Sequence, residues 1–304
     1  TDDYACANPS NPMMPDPVNA MCSATTGRCV ARPGGSITPT TCVSDVQCMA
    51  VNEGYCVAGT CEGADFARNA SRAPLINAWN FLNLGNLFAS RDNFRHYAID
   101  LAQVVRVIKA DAFAAAGGPA LNGTTIHYAG QSLGGFHGAL FAATNGDVQH
   151  VLLNVPGSDQ TGVLLLSPAF AAQRNGFFAQ LAPLGITPGT PAFDQLMVLT
   201  RTIFDRSDPQ NFGFTATNSV MPASRRVFIQ SIQDDFVVPN VTTDKLIAAS
   251  SGGARMPAVE RVNPPFATLM PSDRHGFLLN FADPATTVAA QTKAAGFITT
   301  GVVP

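Results

Sequence analysis

Thr125-Ile126-His127-Tyr128-Ala129-Gly130-Gln131-Ser132-Leu133-Gly134-Gly135 decides how this chain is read. A short apolar run rich in strand formers ends at Gly130. A helical pattern of small and apolar residues starts after Ser132 and passes through Phe136, Ala139, Leu140 and Ala143. Between them lies G-x-S-x-G, carried by Gly130, Ser132 and Gly134. Strand, sharp turn and helix in that order form the context of a nucleophile elbow, in which a strained serine stands at the tip. A side chain at Gly130 or Gly134 is expected to collide where strand and helix pass closely. The helix start behind Ser132 directs backbone N–H groups toward a developing oxyanion, and Leu133 N–H is the expected donor. The plain structural alternative is a glycine-rich turn with an incidental serine.

A serine hydroxyl is a weak nucleophile without a base, and the base needs a third group to fix its tautomer. On this type of sheet the order is Ser, then Asp or Glu, then His. Gln233-Asp234-Asp235-Phe236-Val237-Val238-Pro239 follows a strand pattern at Arg226–Ile232. It places two carboxylates at a strand's carboxyl end, where ligands collect in α/β sheets. Asp235 is the expected acid and Asp234 the fallback; an ordinary acidic turn is the alternative. His275, in Asp273-Arg274-His275-Gly276, is the only histidine after residue 150 and so the only base downstream of that acid. His96 and His137 fall on helices, and His127 and His150 on strands. They read as structural residues, with His137 near enough to the elbow to line a wall.

Strands alternate with helices downstream of residue 90, which predicts a parallel α/β sheet with right-handed crossovers. Phe94, Tyr97, Ala98, Leu101, Val104, Val105 and Ile108 recur at helical spacing. Asp92 or Ser90 is the expected cap of that helix, and Gly117-Gly118-Pro119 its end. Asn122-Gly123 turns into the elbow strand. Buried strands are expected at 149–155 and 226–232, with a fourth inside Val259–Met270. The stretch 158–222 is too long for a plain crossover, unusually apolar, and cut by prolines into short helices. It reads as a helical cap with an apolar underside; a helical hairpin packed on the sheet is the alternative.

All seven cysteines precede residue 62. Clustered cysteines without a C-x-x-C pair or an interleaved histidine point to disulfides made in an oxidising compartment, not to a metal site. Residues 1–63 therefore read as a Cys-rich, disulfide-stapled segment, and 64–304 as the catalytic region. Residues 64–93 read as an ordered loop or short helix. Connectivity is open, and an odd count leaves one thiol free or paired elsewhere. The net charge of −3, with no long basic run, argues against a nucleic-acid partner. No apolar run reaches the length of about 18 residues that a membrane span needs. From a start without methionine or an apolar signal region, a processed or excised chain is the expectation.

Gly130-Gln131-Ser132-Leu133-Gly134-Gly135 resembles the G-x-S-L-G-G of lipases and esterases in the α/β-hydrolase superfamily. Asp235-Phe236-Val237-Val238-Pro239 is similar to that superfamily's acid loop, and His275-Gly276 to its terminal histidine. Arg91-Asp92-Asn93-Phe94-Arg95, Asn154-Val155-Pro156-Gly157 and Asp208-Pro209-Gln210-Asn211 resemble segments of secreted bacterial lipases of the virulence-factor type. The resemblance covers about residues 75–280. It implies ester hydrolysis through an acyl-serine, without a cofactor. The superfamily places further strands and a second oxyanion donor ahead of the elbow, and residues 1–124 show neither. The expectation is a C-terminal part of a longer protein with an N-terminal companion fragment. The reading reached is a secreted, extracellular or cell-surface carboxylic-ester hydrolase, bacterial in type, taking hydrophobic acyl esters and touching lipid surfaces transiently. A serine peptidase on the same fold and a surface binding module with a vestigial hydrolase remain as alternatives.

Overall fold

Four strands, β5 (Ile126–Gln131), β6 (Val148–Asn154), β7 (Arg226–Ile232) and β8 (Ala258–Val262), pair side by side in that order, all parallel. The computed structural model describes residues 86–219 and 222–304, and before them 20–22, 29–31, 41–43, 47, 55–57 and 59–62. Two compact units divide the chain, Thr1–Ser90 and Arg91–Pro304.

In the first unit, β1 (Ala20–Cys22) pairs antiparallel with β2 (Cys29–Ala31), and β3 (Tyr55–Val57) with β4 (Thr60–Glu62). Cys42 and Cys56 form a disulfide, and Cys61 is also disulfide-bonded. The disulfide supports in part the stapling expected of the cysteine cluster. The part of the expected loop at 64–85 lies outside the described residues.

The second unit follows the period of its strands. Side chains alternate across a strand, so Val151, Leu153, Val227 and Ile229 share one core cluster, while Leu152 and Phe228 join another on the opposite face. The first face is covered by α1 (Leu87–Lys109) and by α3 (Leu133–Thr144), the elbow helix. It is completed by α7 (Gly213–Asn218) and α8 (Asn240–Ser250), which supply Ala216 and Leu246. The second face is covered by α9 (Pro284–Thr300), whose Ala294 and Phe297 pack on Leu152 and Phe228. Both faces being covered explains why the central strands β6 and β7 bury apolar side chains on both sides.

The start of α1 differs from the expectation. It begins at Leu87, so Ser90 and Asp92 lie inside it, and Asn86 Oδ1 accepts from Ala89 N–H at 3.0 Å. The apolar periodicity marks the packed stretch of a helix, whereas its first turn extends beyond that stretch. The helix also stops before the glycines: Asp111 takes a left-handed conformation with φ 51°, and a single turn, α2 (Ala112–Ala115), intervenes. The second strand begins and ends one residue earlier than expected.

Between β6 and β7 run α4 (Gln160–Leu166), α5 (Ala171–Leu181) and α6 (Pro191–Phe204), then α7. Since α7 packs in the core against α3 and α8, it belongs to the helix layer of the sheet rather than to the insertion. The ends of the insertion are tied together. Asp208 Oδ1 accepts from Asp159 N–H at 2.9 Å and Oδ2 from Gln160 N–H at 2.8 Å. Burial pushes the Asp208 carboxyl upward, against the three backbone N–H groups that favour its charged form. Asp159 in turn contacts Lys245 and Arg201.

Candidate active site

Ser132 sits where β5 ends and α3 begins, with φ 57° and ψ −118°. An L-residue rarely adopts that backbone, which costs on the order of 1–3 kcal/mol and persists only where the surroundings over-determine it. They do so here. Ser132 N–H donates to Asn154 O on β6 at 2.9 Å, and Ser132 O accepts from Gly135 N–H at 2.7 Å and Phe136 N–H at 3.1 Å. Strain recurs along the carboxyl ends of the strands: Val155 follows β6 with φ 41° and Asp234 follows β7 with φ 56°. A β-branched residue with positive φ is an outlier.

The glycines divide their work differently from the expectation. A Cβ on Gly130 would lie 2.4 Å from Gly134 O, so that position admits no side chain. A Cβ on Gly134 would meet only Tyr128 Oη, at 3.8 Å, which is ordinary contact. The second close approach is at Gly135, whose Cβ would lie 2.8 Å from Pro156 Cβ. The helix passes β5 at the carbonyl of residue 134 and the loop after β6 at residue 135. Tyr128 Oη donates to Gly134 O at 2.6 Å and fixes that crossing.

The three side chains singled out from the sequence meet at this end of the sheet. His275 Nε2 lies 2.7 Å from Ser132 Oγ. His275 Nδ1 lies 2.8 Å from Asp235 Oδ2 and 2.9 Å from Oδ1. An ionised carboxylate only accepts, so Nδ1 carries the proton and Nε2 offers its lone pair to the serine hydroxyl. The Asp235 side chain is 2% exposed and that of His275 14%. Asp235 Oδ1 also accepts from Val237 N–H at 2.8 Å and Val238 N–H at 2.9 Å, which holds the carboxylate in place. Asp234 is exposed and engaged in the turn, its N–H donating to Asn240 Oδ1 at 2.7 Å. Leu133 N–H opens α3, where a helix leaves its first donors without intrahelical partners.

The insertion reaches this site through the acid loop: Ala169 N–H donates to Phe236 O at 3.2 Å. The other histidines stand apart. His127 and His150 stack on each other at 4.4 Å, and His96 pairs with Asp100 on the surface of α1. His137 lies buried against Tyr97 and Phe94 of α1, so it packs two helices together instead of lining a wall of the site.

One neighbouring residue escaped the sequence reading. Arg274, 1% exposed, donates through Nη1 to Gln233 O at 2.8 Å, through Nη2 to Pro264 O at 2.6 Å and through Nε to Leu269 O at 3.2 Å. Its guanidinium carbon lies 4.3 Å from the centre of the Phe266 ring. It joins the residue before His275 to the residue that opens the acid loop. Arginine is rarely buried, and no local pattern marked it.

The sequence matches no protein-family description and no curated protein. Among solved structures it is similar to acetyl xylan esterase 1 from Thermoanaerobacterium sp., with 18% identity over 60% of this chain and 52% of that one and a TM-score of 0.41. It is similar to the acylaminoacyl peptidase of Pyrococcus horikoshii, with 9% identity over 60% of this chain and 24% of that one and a TM-score of 0.43. A puromycin hydrolase shows 14% identity over 62% of this chain and 23% of its own, with a TM-score of 0.40. The chain thus spans less than two thirds of each of these proteins.

Proposed function

We propose that this chain carries the catalytic centre of a secreted carboxylic-ester hydrolase acting on hydrophobic acyl esters. The observation that carries the reading is the continuous hydrogen-bonded series from Ser132 Oγ through the His275 ring to the buried Asp235 carboxylate. In that role Ser132 Oγ attacks the ester carbonyl carbon while His275 Nε2 takes its proton. Asp235 keeps the proton on Nδ1 and stabilises the imidazolium. Leu133 N–H donates to the oxyanion. His275 then returns the proton to the leaving alkoxide, and water, activated by the same ring, releases the acid from Ser132.

The choice of substrate rests on the insertion and the rim. Leu166, Leu184, Val198 and Leu199 of the insertion are exposed, and so are Leu133 beside the serine and Leu279 after the histidine. Such surfaces favour apolar acyl groups and passing contact with lipid. Secretion rests on the cysteine cluster and the Cys42–Cys56 disulfide.

A fluorophosphonate probe tests the centre. The protein is expected to label, and Ser132→Ala to abolish labelling. An unlabelled wild-type chain with intact fold overturns the hydrolase reading. Nitrophenyl esters of graded chain length, set against peptide anilides, separate ester from amide hydrolysis.

A further inference from the structure

We propose that the groove between α1 and α3 binds an amphiphilic carboxylate, an acyl chain ending in an anionic head. The groove encloses ≈ 760 Å³ and lies wholly in the unit Arg91–Pro304. Arg95, Ile99, Ala102 and Arg106 line it from α1 at intervals of four, three and four residues, one stripe down the helix. At a rise of about 1.5 Å per residue the two arginines stand about 16 Å apart. Phe212 joins Ile99 and Ala102 in an apolar floor, and Arg206 adds a third guanidinium.

Two of these three guanidinium charges are not already spent. Asp92, the one acidic residue of the lining, is held by Arg91 at 2.8 Å and by Arg95 at 3.1 Å. His96, also in the lining, faces Asp100 at 3.4 Å. Arg106 and Arg206 are exposed and have no ion-pair or hydrogen-bonding partner among the described residues. Two unpaired guanidinium groups beside an apolar floor select a ligand that satisfies both. An inorganic anion leaves the floor wet, and an alcohol of the same chain length leaves the guanidinium groups unmatched. A carboxylate on an acyl chain supplies apolar area and a planar acceptor that suits guanidinium. The volume lies within the range of about 300–1,000 Å³ typical of small-ligand sites, which favours a small amphiphile over a protein surface.

The groove is distinct from the candidate active site. Its α3 contributions are Leu140 and Thr144, while Ser132 precedes that helix. Leu140 is eight residues on, about 12 Å along the axis. Its ligand is nevertheless the class of molecule that the proposed reaction releases. That connection rests on the hydrolase reading; the groove itself does not.

Isothermal titration of dodecanoate, below its micelle concentration, into the whole chain carrying Ser132→Ala is the test. A saturable site is expected, weakened at least tenfold by Arg106→Glu with Arg206→Glu, and bound more weakly by dodecanol. Both arginines are exposed, and circular dichroism with Arg106→Gln and Arg206→Gln checks that the fold survives. Absence of saturable binding, equal affinity in the charge-reversed variant, or dodecanol binding as tightly as dodecanoate overturns the proposal. Loss of fluorophosphonate labelling bears only on the active site, so the two readings fail separately.

Discussion

Ser132 combines an unfavourable backbone with a side chain aimed at His275, and the strain is maintained by hydrogen bonds on both sides of the peptide. The glycines around it are not equivalent, and substitutions separate them. Gly130→Ala places a methyl group 2.4 Å from a backbone oxygen that cannot swing aside. Loss of several kcal/mol of stability, or failure to fold, is the expected result, since overpacking of rigid backbone exceeds the usual cost of about 1–3 kcal/mol. Gly134→Ala meets nothing closer than 3.8 Å and lies in the first turn of a helix. Its stability is expected within about 1 kcal/mol of the wild type, on the side of a gain, because alanine loses less chain entropy in a helix. Urea unfolding of both variants checks this. Equal destabilisation would show that the motif glycines share one steric role after all.

The loops at the carboxyl ends of β7 and β8 bring Asp235 and His275 together, and Arg274 fastens one to the other. Removing its guanidinium with Arg274→Met leaves the carbonyls of Gln233, Pro264 and Leu269 without that donor. Each buried unsatisfied group costs about 1–3 kcal/mol, so a loss of at least about 3 kcal/mol is expected. If the hydrolase reading stands, kcat falls more than KM, because the acyl-binding surface is untouched while the His275 loop loosens. Steady-state kinetics on a short-chain ester, with unfolding curves beside them, reads both effects. An unchanged kcat in a destabilised but folded variant would leave Arg274 a structural residue alone. The insertion obeys a similar logic. Its ends meet because one buried carboxylate, Asp208, accepts from backbone N–H groups at both ends.

The packing of α1 on α3 carries a pH dependence for the whole second unit. Burial pulls the His137 imidazole down to about 4. In the unfolded chain an ordinary histidine takes its proton near pH 6.5. Above that pH neither state is protonated and His137 costs nothing. Between pH 6.5 and about 4 the unfolded chain binds a proton that the folded one refuses, so stability falls as pH falls. The loss saturates below pH 4 at up to about 3 kcal/mol. His137→Phe keeps a ring against Tyr97 and Phe94 and is expected to flatten the unfolding free energy over that interval. Parallel profiles for the two proteins would remove His137 from the acid response.

Much of the centre was legible because its signals are local. A strand run, a glycine where no Cβ fits, a serine and a small-residue helix stand in one short stretch. The acid and the base were legible through order along the chain and the scarcity of histidines after residue 150. The left-handed residues at Val155 and Asp159, with φ 41° and 52°, the buried guanidinium of Arg274 and the exchange of roles between Gly134 and Gly135 were not. Each depends on a neighbour distant in the chain: Gln230 O holds Val155 N–H, Asp208 reaches Asp159, Arg274 reaches Gln233, and Pro156 crowds residue 135.

Strand period, turn glycines and side-chain chemistry were enough to give the α/β class, the elbow and the identities of the groups that meet there. Short-range sterics and hydrogen-bonding capacity are properties of residue types, so they survive in a bare string of letters. Which helix glycine is crowded, which guanidinium is buried and which cations are left without partners among the described residues depended on how the helices and loops came to lie against the sheet. Those outcomes follow from distances and burial between segments far apart in the chain, and only the folded arrangement contains them.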